Sequence, residues 1–411
     1  MKISVATASG IEAVTKRELY KTIGREDLAA LDGRISFSGT WRDVAKCNLL
    51  LRTANRVEIV AGEFRAADFD ELYEGISAIP WEDYIPENGN FTLSAKSVNC
   101  RLFAYSAIQS VSEKAICERL KKRYGVTELP KSGVRYRIEV AGRKDFFTVS
   151  FNTSGEGLHR RGYRGLVGEA PLKETLAAAL IELSVWNSDR PLVDLFCGSG
   201  TIPIEAAMIA LGIPAGGKRE FDFSFWSDEC RKILDEEREK AISGIDEKKE
   251  IRISGFDIDE KQIRLARRHA ELAGVDRFIH LQRADMRDFS SRFSHGVVIS
   301  NPPYGERLLS RREVEILYRD YGKKIASLDE WCAYTLTPVD DFERLFGKKA
   351  DKKRKIYNGK LECVYYSMLA APPKKREERG ENGGTDENKS FRKDQNTKIL
   401  PENEKKEVKN A

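Results

Sequence analysis

A chain of 411 residues is too long for one average domain, and its 41% hydrophobic share is enough for two or three separate cores. No apolar run approaches the roughly 18–20 residues that cross a bilayer, and the N-terminus lacks a secretory leader, so a soluble cytoplasmic protein is expected. The seven cysteines are odd in number, scattered and never spaced Cys-x-x-Cys, which argues against a disulfide framework and against a metal site.

Along the chain, Lys2–Thr7 and Arg34–Ser38 read as strands around an amphipathic helix at Ile11–Ile23. Thr40 supplies an N-cap for a helix reaching Ala54, and Arg56–Glu63 follows as a strand, giving a split βαβ unit. A second small unit follows. It holds a helix near Phe69–Ile79, a strand at Phe91–Val98, a long helix around Leu102–Tyr124, and strands at Arg135–Ala141 and Phe146–Asn152. Charge is concentrated here: residues 99–164 carry 14 basic and 6 acidic side chains, a net of +8, against −3 for residues 1–98 and −1 for 171–373. Phosphate backbones bind such concentrations through counterion release, although a solvated basic face is an equally simple reading.

Residues 155–165, rich in glycine and arginine, read as a connector. His159, Arg160, Arg161, Tyr163 and Arg164 are its candidate nucleic-acid contacts; the competing role for the arginines is to tie the two halves together through salt bridges. From Pro171 longer helices alternate with apolar strands, the pattern of a doubly wound parallel sheet. Its strands are expected at Leu192–Phe196, Ile253–Phe256, Ile279–Arg283, Gly296–Ser300 and Cys332–Thr337. A final antiparallel pair, Lys355–Tyr357 and Leu361–Ser367, turns at Asn358-Gly359. The long connection from Pro214 to Glu250 holds Phe221, Phe223, Phe225 and Trp226, for which packing under a surface insertion is favoured over base stacking. Beyond Pro373 the charged tail is expected to be disordered.

The chemistry sits at strand ends. Asp194-Leu195-Phe196-Cys197-Gly198-Ser199-Gly200-Thr201 leaves the first strand of the larger domain and opens a helix, so small residues and free N–H groups meet any ligand there. It lacks a full Gly-x-Gly-x-x-Gly and therefore does not point to a nicotinamide cofactor. Asp257 ends the second strand, where a carboxylate can accept from ribose hydroxyls, and Asp285 follows the third, within reach of an adenine amino group. The fourth strand ends in Asn301-Pro302-Pro303-Tyr304. An exocyclic amino group on a base is a poor nucleophile because its lone pair is delocalised. The Asn301 side-chain carbonyl and the Pro302 backbone carbonyl can each accept one of its N–H bonds and aim that lone pair at an electrophilic methyl. The prolines stiffen both acceptors, and Tyr304 offers a stacking face worth about 1–3 kcal/mol per base.

This order of motifs resembles the class I amino-methyltransferases acting on nucleic acids. With Ala170–Thr175, the His159–Arg164 segment and the extension from Asn301 to Arg307, it looks like the THUMP-domain RNA guanine-N2 methyltransferases, especially the bacterial large-subunit ribosomal RNA type. The resemblance implies an α/β chain with a ferredoxin-like domain at 1–54, a THUMP RNA-binding domain at 55–155 and a linker at 156–170. A Rossmann-like methyltransferase domain with a mostly parallel seven-stranded sheet would fill 171–373, and a charged tail 374–411. It further implies S-adenosylmethionine as cofactor, shaped by Asp194, Cys197, Gly198, Gly200 and Thr201 and held by Asp257 and Asp285. Asn301, Pro302 and Tyr304 would then be catalytic, acting on guanosine N2 in 23S ribosomal RNA, with transfer RNA as the alternative. A DNA adenine-N6 methyltransferase and a non-catalytic RNA-binding assembly factor are the competing classes. No membrane partner is expected, and a monomer or weak homo-oligomer is.

Overall fold

In the computed structural model, residues 1–31, 33–164, 172–305, 310–328 and 330–370 are described. The tail 374–411, the connector's end at 165–170, and Glu306 and Arg307 lie outside the described residues.

Seven strands form the first sheet. They are β1 (Lys2–Thr7), β2 (Ala29–Leu31), β3 (Arg34–Ser38), β4 (Ala54–Arg65), β5 (Asn90–Val98), β6 (Arg135–Arg143) and β7 (Phe146–Asn152), in the order β2-β3-β1-β4-β7-β6-β5. The helices α1 (Glu12–Ile23), α2 (Trp41–Leu50), α3 (Phe69–Ala78) and α4 (Tyr105–Tyr124) pack against it. Alternation does the work in β1, where Ile3 and Val5 are fully buried. Thr40 caps α2 in a reciprocal box with Asp43. The strand β4 is long enough to pair with β1 along one stretch and β7 along another, so the two small units share a single sheet. Arg34 of β3 pairs with Glu58 of β4 and with Glu139 of β6 at 2.7 Å, which stitches the same join across its face.

The second sheet contains β8 (Leu192–Asp194), β9 (Ile253–Asp257), β10 (Ile279–Arg283), β11 (Val297–Ser300), β12 (Cys332–Thr337), β13 (Lys352–Asn358) and β14 (Leu361–Met368). Their order is β10-β9-β8-β11-β12-β14-β13, parallel from β10 to β12 and antiparallel through β14 and β13. Around it lie α5 (Glu174–Leu183), α6 (Thr201–Ala210), α8 (Glu260–Ala273), α9 (Arg311–Ala326) and α10 (Phe342–Phe346), while α7 (Asp228–Ser243), in the insertion after α6, packs on α2. Because β8 is followed by β9 on one side while β11 lies on its other side, the order reverses between β8 and β11. The carboxyl ends of these two strands therefore open a crevice.

The two sheets are joined by apolar packing and by buried charge. The insertion after α6 folds back onto the first sheet: Phe221 and Phe223 are fully buried with Val44 and Leu49, and α7 packs Cys230 and Leu234 on α2. Trp226 stacks on Tyr136 with ring centroids 5.1 Å apart. These aromatics are packing residues, as the sequence favours, except Phe225, which is half exposed under Arg231.

The connector departs from expectation. Arg161 is buried, donates to the Leu158 and Arg52 carbonyls and pairs with Glu205 of α6, both side chains being at most 1% exposed. Tyr163 is also buried, and its hydroxyl donates to Glu205 at 3.0 Å. Arg164 pairs with the buried Glu174 at 3.2 Å. Arg161 and Tyr163 are therefore withdrawn from the RNA candidates, because neither offers surface to a polyanion, and Arg164 is already committed to the fold. His159 is half-buried among cations, and burial first, then Lys173 and the neighbouring arginines, hold its pKa down to about 4, so it is neutral at physiological pH. Arg160 alone remains exposed, in a pair with Glu156.

Removing one member of a buried pair leaves the other charge uncompensated. Arg161→Ala is expected to destabilise the chain by about 3–5 kcal/mol. Arg160→Ala should cost less than about 0.5 kcal/mol. Urea denaturation of both variants checks this; equal midpoints would show that Arg161 is not the tie.

Candidate functional site

The crevice between β8 and β11 deepens into a cavity of about 1090 Å³. Its floor is the loop from Asp194 to Thr201. Gly198 has φ +52°, which favours glycine, and a Cβ there would project into open space, leaving room for a ligand to approach the backbone. The Gly198 N–H donates to Asp257 Oδ2 at 2.9 Å, and the Asp259 N–H donates to Oδ1 at the same distance. Those bonds fix the strand-end carboxylate against the loop. Thr201 opens α6, so the first unsatisfied N–H groups of this helix face the crevice.

Asp194 is 2% exposed. It accepts from the Phe196 N–H at 3.1 Å and from the Ser300 hydroxyl, yet burial dominates and pushes its pKa up to about 7. Ser300 also accepts from the Leu195 N–H at 3.1 Å. The last residue of β11 therefore locks the loop after β8 to the segment that follows, Asn301–Tyr304. Asp285 accepts from the Arg287 N–H at 2.8 Å, and its other oxygen pairs with the Arg287 guanidinium, itself held by Asp320.

The cavity thus brings together Asp194, Cys197, Gly198, Thr201, Asp257, Asp285, Asn301, Pro302 and Tyr304. It does not include Gly200, whose absent Cβ would meet Ala266 of α8 at 2.9 Å; that glycine serves helix packing at φ +84°. Sequence reasoning missed the opposite wall, formed by Lys173, by Glu313, Ile316 and Leu317 of α9, and by the β13–β14 turn at Asn358-Gly359-Lys360. The Asn-Gly signal identified the turn, but nothing local tells that the turn overhangs the crevice.

Residues 161–367 match the RMKL-like methyltransferase domain, residues 2–58 the RlmL ferredoxin-like domain and residues 66–152 the THUMP domain. The putative RNA methyltransferase YpsC of Bacillus subtilis is 39% identical over 379 residues, covering 91% of this chain and 98% of YpsC. The chain belongs to this methyltransferase family. The ribosomal RNA large subunit methyltransferase K/L of Aliivibrio fischeri is 32% identical over 397 residues, 91% of this chain but 54% of that protein. The chain thus spans about half the length of that relative. The solved structure of SMU.472, a putative methyltransferase complexed with SAH, superposes with a TM-score of 0.86 at 40% identity, covering 91% of this chain and 99% of SMU.472.

For a methyltransferase the cavity's chemistry is coherent: one end offers carboxylates and helix N–H groups, the other the rigid Asn301–Tyr304 segment. Among the described residues no cluster suited to a metal ion occurs.

Asp194 makes the ligand-free methyltransferase sensitive to pH. Unfolded, its carboxyl ionises near 3.8; folded, at about 7. Between those values the folded chain keeps a proton that the unfolded chain has released, so stability falls as pH rises through the window and levels off above it. Asp194→Asn should flatten the fall in melting temperature between about pH 5.5 and 7.5. A variant whose melting curve keeps the parent slope would place the proton elsewhere.

Proposed function

We propose that this chain transfers a methyl group from S-adenosylmethionine to the exocyclic N2 of a guanosine in 23S ribosomal RNA. The observation that carries the reading is the meeting of two strand ends in one cavity: the Asp194–Thr201 loop with Asp257 and Asp285 on one side, Asn301–Tyr304 on the other. SMU.472 was crystallised with the demethylated product SAH, which supports the donor, and the K/L relatives act on large-subunit ribosomal RNA, which supports the acceptor.

When bound, the donor supplies an electrophilic methyl on a sulfonium whose leaving group is a neutral thioether. Asp257 would accept from ribose hydroxyls, and Asp285, steadied by Arg287, from the adenine amino group; both line the cavity. Gly198 and Thr201 let the backbone come close. Burial and the neighbouring Asp257 hold the Asp194 pKa up to about 7, and the positive charge of a bound sulfonium would favour its ionised form. On the acceptor side, the Asn301 side-chain oxygen and the Pro302 carbonyl hold the two N2 hydrogens while Tyr304 stacks on the base. These acceptors localise the nitrogen lone pair before reaction, which is preorganisation. The new N–C bond forms as the methyl–sulfur bond breaks, and the nitrogen's surplus proton passes to solvent. The base has to leave its stack, at a cost of a few kcal/mol that stacking and hydrogen bonds in the cavity offset. All the named groups come from one chain, so a single copy suffices for the reaction.

Asn301→Ala should reduce kcat/KM by about 10²–10³ without changing donor affinity. Tyr304→Ala should weaken RNA use by about 1–3 kcal/mol, with Tyr304→Phe close to the parent. Radiolabelled methyl transfer, followed by mass spectrometry of nucleosides from ribosomal RNA, transfer RNA and DNA, checks both variants and the acceptor. N2-methylguanosine appearing only in transfer RNA, or N6-methyladenine in DNA, would replace the proposed substrate.

A further inference from the structure

The turn between β13 and β14 overhangs the cavity because its hairpin outruns the sheet. The last pair between β12 and β14 is Thr337 with Val364. Strands β13 and β14 go on pairing through Ile356–Cys363, Tyr357–Glu362 and Asn358–Leu361. Three further pairs carry the tip about 10 Å past the end of β12, on the side where the parallel strands end. The loop itself is Gly359-Lys360, with a positive φ of +67° at the glycine alone, the II′ pattern that suits twisted strands.

This extension is braced by the first sheet's unit. Ile356 and Cys363 are buried in one core with Ile11 and Val14. The Arg354 guanidinium donates to the Gly10 carbonyl at 3.1 Å, and a Cβ at Gly10 would collide with the Lys355 carbonyl. Only glycine lets the two backbones meet there, so the tip has a fixed place.

Charge sets what the tip can do. Five carboxylates and three cations line the cavity. Such a lining suits a donor whose sulfonium and ammonium outweigh its carboxylate, but it repels a polyanion at the mouth. Of the cations, Arg287 is held by Asp285 and Asp320. Lys173 and Lys360 are exposed, and among the described residues neither has an ion-pair partner. Glu362, two residues from Lys360, is taken by Lys355 at 2.6 Å and by the Tyr357 hydroxyl at 3.0 Å. Across the sheet, Asp257 and Asp285 follow β9 and β10, Asn301 follows β11, and Lys360 turns beyond β12. Four strand spacings, roughly 19 Å, separate β9 from β14. Lys360 therefore stands on the acceptor side of the reacting segment.

We propose that Lys360 binds a backbone phosphate of the RNA beside the target nucleotide, at the mouth of the cavity. This rests on RNA being the acceptor and adds a residue that fixes where the strand lies once the base has entered. A nucleotide turned out of its stack brings its flanking phosphates to the opening, where the acidic lining would otherwise repel them. A lysine on a braced tip meets such a phosphate as a point charge.

The test is steady-state methyl transfer to protein-free ribosomal or transfer RNA, whichever pool the parent modifies, with SAH binding followed by calorimetry. Lys360→Ala should raise KM for RNA about 10-fold, leave kcat within about twofold and leave SAH affinity unchanged. The slope of log kcat/KM against log salt should become shallower by about 0.7–1. Lys360→Arg should bring KM back near the parent. Lys355→Ala, whose charge is already paired with Glu362, should shift KM by less than about twofold. An unchanged KM and salt slope in Lys360→Ala would overturn the phosphate contact. Weaker SAH binding with an unchanged slope would also overturn it, giving the ammonium to the donor's carboxylate. A parent chain that binds SAH but methylates neither RNA would instead overturn the RNA reading beneath it.

Discussion

A carboxylate buried without water must meet a cation or a donor, and in this chain Glu205 meets both. It is fully buried on α6, one turn after Thr201, and takes Arg161 and the Tyr163 hydroxyl from the connector. The helix whose N-terminus faces the crevice is thereby fixed to the strand of chain that leaves the first sheet. Arg52 extends the same junction, donating to the Met208 and Ile213 carbonyls at the far end of α6. Glu18 accepts from the Arg52 and Thr53 N–H groups, and burial still holds its pKa up. Orientation between the halves is thus set by directional polar bonds, whereas apolar packing alone would tolerate sliding.

From that fixed α6 the site follows by topology. The reversal of strand order puts the ends of β8 and β11 side by side, and Ser300 spans them, bonded to both Asp194 and the Leu195 N–H. The loop at the β8 end and the Asn301–Tyr304 segment at the β11 end are therefore held to one another by a few hydrogen bonds around the buried Ser300. Tyr321 packs beneath, edge-on to Phe196 at 5.3 Å. A loop supported in this way would need little reorganisation during the proposed reaction, as hydrogen-bond catalysis without a strong base requires.

Strand ends were the most legible part of the sequence. Asp194, Asp257, Asp285 and Asn301 each lie at or just beyond the end of a strand, and the structure gathers all four into one cavity because a parallel sheet aligns its carboxyl ends. The connector was less legible. Arg161 and Arg160 are adjacent and chemically identical, yet one is buried on Glu205 and the other solvated; the difference is set by a helix that begins some forty residues later. Gly198 and Gly200 are indistinguishable by local pattern as well. Only the approach of Ala266 shows that Gly200 serves packing. The sharing of β4 between the two small units was hidden for the same reason, since pairing on both edges is a property of neighbours distant in sequence.

The insertion after α6 shows how this architecture divides its labour. Phe221 and Phe223 are large enough to serve as base-stacking groups, but both are spent inside the first sheet's core, and α7 carries Glu236 and Glu237 to Arg42 on α2. An insertion that buries its aromatics and pairs its charges is a brace. With that brace and the Glu205 junction in place, the first sheet cannot swing freely against the cavity. RNA held on the first sheet would then present its target base at a defined place, and binding energy far from the reacting nitrogen would serve to orient it. The Asn301–Tyr304 segment has then only to receive a base already delivered, which agrees with a site made of acceptors and stacking surface in place of a strong general base.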